Sequence, residues 1–213
     1  MPLASDFYRL LKEGLALKLP GEEAQNRLSR LRNYSTAEYL ARNPTHRESA
    51  VLIMLWPEAD IWRCLLIRRP EYDGAHSGQM ALPGGRREPS DANLLQTALR
   101  ETKEETGVEV REAAVAGALS SLYIPVSNFL VQPYVAVLEA RPVFHPDPEE
   151  VSALLDFDLK LLLKPETLKI GERMLAKGVK ARTPYFDIEG SEVWGATAMM
   201  LSELAAVLEV ISF

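Results

Sequence analysis

The sequence predicts an α/β sandwich in which helices cover a mixed β-sheet. Two strands are predicted by continuous apolar runs at residues 49–56 and 61–67, joined by a turn at 57–60. A helix is predicted where apolar residues recur at helical spacing between a glycine turn at 83–85 and Gly107, a residue type that commonly ends helices. Strands with helices before, between and after them are typical of this layered architecture.

The remaining segments extend this pattern to both ends of the chain. Two helices are expected at residues 5–18 and 22–31, before the first strand. The later elements that we expect are strands at 108–110, 115–123 and 129–138, a helix at 149–163, a strand at 183–188 and a helix at 195–211. The last helix is so apolar that either the core or a partner chain must cover it, which leaves a homodimer open.

The composition predicts a globular protein that forms one domain with a sizeable core. The chain has 213 residues, of which 47% are hydrophobic and 25% are charged. Its net charge of −6 argues against a broad surface for nucleic acid or for an anionic membrane. The single cysteine, Cys64, allows no intramolecular disulfide, and we find neither a signal-peptide pattern nor a transmembrane run. We therefore expect a cytoplasmic protein.

Three glutamates crowd the end of the helix that precedes Gly107. Glu101 and Glu105 are four residues apart, and Glu104 is three residues from Glu101, so the three lie close together on the helix. Like charges at this spacing cost roughly 0.2–0.5 kcal/mol per pair. Carboxylates near a helix C-terminus cost about 0.3–1 kcal/mol each. A bound cation would offset these costs, and oxygen ligands without His or Cys suit Mg²⁺ or Mn²⁺ better than zinc. A solvated acidic helix face is the alternative.

This segment resembles the signature of the Nudix family, usually written G-x5-E-x7-R-E-U-x-E-E-x-G-U with U aliphatic. The positions that match are Gly85, Arg100, Glu101, Glu104, Glu105, Gly107 and Val108. Two positions depart from the pattern. Asp91 replaces the isolated glutamate and has one extra residue between it and Arg100, and Thr102 replaces an aliphatic residue.

The resemblance implies a Nudix-type α/β/α sandwich with a mixed sheet and a metal-dependent pyrophosphohydrolase activity. It divides the chain into an N-terminal helical extension at residues 1–48 and a Nudix hydrolase domain at residues 49–213. By resemblance, the metal, Mg²⁺ or Mn²⁺, is held by Glu101, Glu104 and Glu105.

Other roles follow from the same resemblance. Arg100 is expected to orient a glutamate through a salt bridge, and Asp91 is explained equally well as a helix N-cap. The general base stays open between one of the three glutamates and a later loop. That loop contains Asp147, Glu149 and Glu150, which the first turn of a helix would also explain.

A narrower resemblance concerns the substrate. Residues 64–85 are similar to a second signature, close to LLTxRSxxxRxxxGxxxFPGG, of the coenzyme A pyrophosphatase branch of the family. The matching positions are Leu65, Leu66, Arg69, Gly78, Pro83, Gly84 and Gly85. The positions that depart from it are Ile67, Pro70, Gly74 and Leu82. Residues 123–136 and 193–204 also resemble segments of this branch.

This resemblance implies hydrolysis of coenzyme A to 4′-phosphopantetheine and adenosine 3′,5′-bisphosphate. The substrate-binding residues that it implies are Arg69, His76, Gly78, Gln79, Gly84 and Gly85. Two alternatives stay open: a Nudix hydrolase of ADP-ribose or a dinucleotide, and a non-catalytic domain that senses a nucleotide. Residues 127–129 could line a substrate pocket, and Tyr123 and Trp194 could stack on adenine, with a turn and core packing as the respective alternatives.

Overall fold

The computed structural model describes residues 3–29, 34–73, 76–174 and 180–213. Its helices are α1 (Ala4–Ala16), α2 (Gly21–Asn26), α3 (Thr36–Arg42), α4 (Leu94–Thr106) and α5 (Gly195–Val210). The larger sheet contains β1 (Arg47–Glu58), β2 (Ile61–Arg68), β3 (Met80–Ala81), β4 (Gly84–Arg86), β5 (Val115–Ala118), β6 (Leu122–Ile124), β7 (Phe129–Val137) and β8 (Ala153–Asp158). A smaller sheet contains β9 (Leu168–Met174), β10 (Lys180–Ile188) and β11 (Ser191–Trp194).

Strand β1 lies at the centre of the larger sheet because three other strands form hydrogen bonds along it. It runs parallel to β7 and antiparallel to β2 and β4, so the sheet is mixed, as predicted. In the pairing with β4, Gly85 lies opposite Ala50 and Gly84 lies opposite Val51. This register fixes the glycine turn against the buried middle of β1.

Apolar side chains alternate along β1 between the two faces of the sheet. Ile53 packs in a cluster that contains Phe7 of α1 and much of α5. Leu52 packs in a second cluster with Ala98 of α4. Helices therefore cover both faces, which confirms the predicted α/β/α sandwich.

Helix α5 is covered by the chain itself, since α1 and α2 pack against it. Glu203 is buried at the middle of α5 and accepts a hydrogen bond from Gln25 Nε2 of α2 at 2.9 Å. Within the described ranges, the structure has no helix that is both long and apolar enough to cross a membrane. The division into an extension at 1–48 and a domain at 49–213 stays a prediction.

Two predicted elements are wrong. Residues 149–163 do not form a helix but contain β8, followed by a 3-10 helix at Leu159–Leu163. Pairing with β2 and burial of Phe157 outweigh the helical spacing of the leucines in this segment. No strand forms at residues 108–110, where Val108 is buried in irregular backbone. Val108 is buried because it packs in the same apolar cluster as Ala98 of α4.

The smaller sheet is only partly predicted from the sequence. The predicted strand at 183–188 is the second half of β10, which pairs with both β9 and β11. Glu189 and Gly190 connect β10 to β11 with φ angles of 51° and 81°. Positive φ at both central residues is typical of a tight hairpin turn, so β10 and β11 form a hairpin.

Other predicted bounds differ by a few residues. The strand expected at 115–123 is divided into β5 and β6, and α2 ends at Asn26 instead of residue 31. The last two residues of that predicted helix, 30 and 31, lie outside the described residues. Helix α3 is not predicted, although Ser35 and Glu38 form a capping box at its start.

Candidate active site

The glycine turn is pressed between β1 and α4. Gly84 has a φ of 146°, and a Cβ atom there would lie 2.3 Å from the carbonyl oxygen of Ala50. Its backbone N–H donates to Glu105 Oε2 at 2.8 Å. A side chain at this position would therefore displace the turn from β1 and break its link to α4.

Gly85 leaves space for the carboxylate of Glu101. A Cβ atom at Gly85 would lie 2.3 Å from Glu101 Oε2 and 2.4 Å from Glu101 Cδ. The carboxylate thus occupies the volume that a side chain at residue 85 would take. The turn places one glutamate against each of its two glycines.

Arg100 links the remaining carboxylates. Its Nη1 donates to Glu101 Oε1 and to Glu104 Oε2, both at 2.9 Å. Its Nε and Nη2 donate to the two carboxylate oxygens of Asp91, also at 2.9 Å. Nη2 further donates to the carbonyl oxygen of Arg86 at 3.1 Å, which attaches the guanidinium to β4. Such paired bonds fix the position of a guanidinium closely.

Asp91 is not the N-cap of α4. That position belongs to Asn93, whose side chain accepts from the N–H of Gln96 at 3.0 Å. Asp91 is buried and accepts from Thr97 Oγ1 at 2.9 Å as well as from Arg100. The hydrogen bonds from Arg100 hold the pKa of Asp91 well below its usual range. The role of Asp91 in this structure is to position Arg100.

Two of the three glutamates are largely removed from water. Glu105 is 3% exposed, and burial raises its pKa to about 8, although the Gly84 N–H and the charge of Arg69 oppose this rise. Burial also raises the pKa of Glu101, against the opposing effect of Arg100. Glu104 is different, since 53% of its side chain is exposed. Desolvated carboxylates of this kind are stabilised by a nearby positive charge.

These carboxylates have the chemistry of a site for a hard divalent cation. In this structure each of them accepts a hydrogen bond from another group of the protein. Among the described residues, no group of three or more His, Cys, Asp or Glu side chains is arranged to hold a metal ion. In this arrangement Arg100 binds Glu101 and Glu104, while the Gly84 N–H binds Glu105. Arg100 binds one oxygen of each of these two glutamates, Oε1 of Glu101 and Oε2 of Glu104.

A loop after β7 brings a further carboxylate to the site. The N–H of His145 donates to the carbonyl oxygen of Thr106 at 2.8 Å, and that of Asp147 donates to the carbonyl oxygen of Glu105 at 3.2 Å. The charge of Glu150 in this loop contributes to the raised pKa of both Glu101 and Glu105. Since no helix begins here, the explanation of Glu149 and Glu150 as first-turn helix residues is wrong.

Arg69 acts on the same cluster through its charge. Its charge lowers the pKa of Glu105, and its Nε is buried with no hydrogen-bond partner in the described part of the chain. Its backbone N–H donates to the carbonyl oxygen of Gln79 at 3.0 Å. The buried, unpaired donor is therefore available to a group that binds beside Glu105.

Three further residues of the second signature segment, His76, Gly78 and Gln79, lie in the turn between β2 and β3. His76 Nδ1 is 3.1 Å from Gln79 Oε1, and the N–H of Gly78 donates to the carbonyl oxygen of Pro70 at 3.1 Å. Gly78 and Gln79 line an open cleft, and Trp194 lies on its other wall. Gly74 is outside the described residues.

Tyr123 has a structural role. It is buried, its hydroxyl group donates to Asn128 Oδ1 at 2.8 Å, and its ring stacks on Tyr39 with centroids 5.2 Å apart. Phe129 contacts the guanidinium of Arg47, 4.1 Å from the ring centroid. Core packing and the turn that precedes β7 therefore explain these residues, whereas Trp194 lies outside the core.

Known proteins are similar to this chain in sequence and in fold. The NUDIX domain family model matches residues 45–176. The Nudix hydrolase NudL of Yersinia enterocolitica is 31% identical over 172 residues, which cover 79% of this chain and 84% of NudL. NudL of Yersinia pestis is 33% identical over 171 residues, which cover 78% of this chain and 82% of the relative.

Two solved structures resemble the architecture. A MutT/nudix family protein from Enterococcus faecalis has a TM-score of 0.53 at 19% identity, covering 89% of this chain and 73% of that chain. The Nudix hydrolase RenU from M. smegmatis has a TM-score of 0.52 at 16% identity, covering 78% of this chain and 88% of that chain. At these identities the likeness concerns the fold alone.

We expect the substitution Glu105→Gln to remove a pH dependence from the stability of the metal-free protein. The pKa of Glu105 rises from 4.5 to about 8 on folding. Its contribution to stability is therefore complete at a pH below 4.5 and is lost as the pH rises through about 8. Thermal unfolding should be measured in a chelating buffer at about pH 5 and at about pH 9. The stability of Glu105→Gln relative to the wild type should be higher at the second pH than at the first.

The matched control is Glu109→Gln, which removes a carboxylate that is 77% exposed. This variant should follow the wild type at both pH values. If Glu105→Gln also unfolds in parallel with the wild type at both values, burial does not perturb Glu105 as described.

Proposed function

This chain belongs to the Nudix family of hydrolases, and from that premise we propose that it cleaves the pyrophosphate bond of coenzyme A. The products would be 4′-phosphopantetheine and adenosine 3′,5′-bisphosphate. The observation that carries the proposed chemistry is the pair of desolvated carboxylates, Glu101 and Glu105, held against the glycine turn. Hydrolysis of a pyrophosphate needs positive charge at such a place, because water must approach an anionic phosphorus.

Glu101, Glu104 and Glu105 would hold Mg²⁺ or Mn²⁺. A divalent cation, when bound, neutralises phosphate charge and lowers the pKa of a bound water. Arg100 and the Gly84 N–H keep the glutamate side chains near the turn before the cation binds. This arrangement reduces the conformational entropy that the site loses on binding.

Arg69 would bind a phosphate oxygen of the substrate. Its Nε is buried without a partner among the described residues, and its charge acts on Glu105. A guanidinium suits this role because its planar donors match the geometry of phosphate oxygens. The buried donor would thus gain a hydrogen bond when substrate is present.

Glu150 is our candidate for the general base. Its loop is attached to the end of α4 through the backbone of Thr106 and Glu105, and its charge acts on Glu101 and Glu105. It would accept a proton from the attacking water. Glu101, Glu104 and Glu105 are less suited to this role, because metal binding would engage their oxygens.

Two departures from the coenzyme A signature lie at buried positions, so they are weak evidence against coenzyme A as the substrate. Leu82 and Ile67 are 2% and 0% exposed and belong to the core, so their replacement of Phe and Thr concerns packing. The matching residues Arg69, Gly78 and Gly85 lie beside the glutamate cluster or the adjoining cleft. These positions favour coenzyme A over ADP-ribose or a dinucleotide.

A nucleotide sensor is the alternative from another functional class. A sensor has little need for three glutamates, an arginine that orients them and a nearby fourth carboxylate. The complete cluster therefore favours an enzyme.

Product analysis tests the substrate. Purified protein with Mg²⁺ or Mn²⁺ would be supplied with coenzyme A, dephospho-coenzyme A, ADP-ribose and NADH. We expect coenzyme A to be cleaved preferentially and the form without the 3′-phosphate to be cleaved poorly. We expect Glu105→Gln to lose this activity and Glu109→Gln to retain it. Faster cleavage of ADP-ribose or NADH would reject coenzyme A, and nucleotide binding without any cleavage would favour the sensor.

A second experiment tests the general base. Glu150→Gln should lower kcat by roughly 10²- to 10⁴-fold with little change in KM, because proton transfer is lost while binding is kept. Glu149→Gln, an adjacent exposed carboxylate, is the control and should retain kcat. Wild-type kcat in Glu150→Gln would place the base elsewhere, whereas an equal loss in both variants would indicate a general effect on the loop.

A further inference from the structure

An open cleft separates the turn before β3 from the hairpin formed by β10 and β11. One wall is formed by Ser77, Gly78 and Gln79, and the other by Ser191, Glu192 and Trp194. Its volume is about 430 Å³, within the range of roughly 300–1,000 Å³ that is usual for small-molecule sites. The cleft is therefore large enough for one part of a nucleotide.

The two walls are attached to each other. Thr197 Oγ1, in the first turn of α5, donates to the carbonyl oxygen of Met80 at 3.1 Å. Met80 pairs in turn with Arg68, which also lines the cleft. Arg68 precedes Arg69 directly, and the charge of Arg69 acts on Glu105. The cleft and the glutamate cluster are thus connected through the end of β2, where Arg68 and Arg69 follow each other.

Arg173 packs against the residues of the hairpin wall. Its guanidinium lies 5.0 Å from the centroid of the Trp194 ring and 4.8 Å from that of Tyr185. Its Nη1 donates to Glu192 Oε2 at 2.6 Å. The Arg173 side chain is only 10% exposed, and its Nε and Nη2 have no hydrogen-bond partner among the described residues.

A buried guanidinium with two unpaired donors lowers the stability of a fold. The contacts of Arg173 suggest why a buried guanidinium is present here: it holds both Trp194 and Glu192 in position on the cleft wall. An aromatic ring beside a carboxylate can recognise a flat heterocycle with an amino group. The ring stacks on the heterocycle, and the carboxylate accepts from the amino group but cannot donate to a carbonyl oxygen.

We propose that this cleft binds the adenine base of the substrate, which stacks on Trp194 and donates its amino group to Glu192. The inference rests on the proposed function for the identity of the substrate. Arg68 would then lie near the phosphates, between the base and the cleavage site. Trp194 and Glu192 are thereby assigned to substrate specificity.

Tryptophan fluorescence gives a test that does not depend on turnover. Of the three tryptophans, Trp56 and Trp62 are buried, so a ligand in the cleft can contact only Trp194. Adenosine 3′,5′-bisphosphate should quench the fluorescence of the wild type in a saturable manner. Trp194→Phe should lose the quenching but bind the nucleotide by calorimetry within a few-fold of the wild type, because phenylalanine still stacks. Trp194→Leu should weaken binding about tenfold.

Base selectivity tests Glu192. The wild type should bind adenosine 3′,5′-bisphosphate about tenfold more tightly than the inosine analogue, whose carbonyl oxygen would face the carboxylate. Glu192→Gln should bring the ratio close to one, because an amide can also donate. Glu189→Gln, at the exposed tip of the same hairpin, should keep the wild-type ratio.

The outcomes separate this inference from the proposed reaction. Specific quenching without cleavage of coenzyme A would support the base site and reject the reaction. Cleavage of coenzyme A without quenching, and with unchanged KM in Trp194→Leu, would reject the base site alone. Quenching by 4′-phosphopantetheine instead of adenosine 3′,5′-bisphosphate would also overturn the inference, because the cleft would then hold the other half of the substrate.

Discussion

The close approach of the 84–85 turn to β1 and α4 is the constraint on which the site depends. Gly84 can approach β1 only without a side chain, and its N–H then reaches Glu105. Gly85 leaves the volume that the Glu101 carboxylate occupies. Both carboxylates are desolvated by the same packing, and burial raises the pKa of each. The fold therefore removes two carboxylates from water beside the turn, where a bound cation would stabilise their charged form.

Arg100 explains how so much negative charge is tolerated. One guanidinium binds Asp91, Glu101 and Glu104 and is attached to β4 through the carbonyl oxygen of Arg86. The clustering of glutamates near the C-terminus of α4, unfavourable for an isolated helix, is thus partly compensated. Glu150 adds further negative charge from outside the helix.

The sequence predicts the parts of the molecule that depend on local patterns. The β1–β2 hairpin, the helix that ends at Gly107 and the spacing of Glu101, Glu104 and Glu105 follow from periodicity and turn residues. The contribution of Glu150 depends on a loop that docks through backbone hydrogen bonds, and the position of Trp194 depends on the packing of the smaller sheet. Such long-range contacts leave no periodic signal in the sequence. The same applies to β8, which forms by pairing with β2 although its leucines have helical spacing.

Electron paramagnetic resonance of Mn²⁺ bound to the wild type and to Gly85→Ala tests the central claim most directly. The atoms nearest to the new methyl group belong to the Glu101 carboxylate and not to backbone, so this carboxylate should move while the fold is kept. We predict that Mn²⁺ affinity falls at least about tenfold, with a melting temperature close to that of the wild type. Wild-type Mn²⁺ affinity in a folded Gly85→Ala protein would contradict the claim that this turn seats a metal-binding carboxylate.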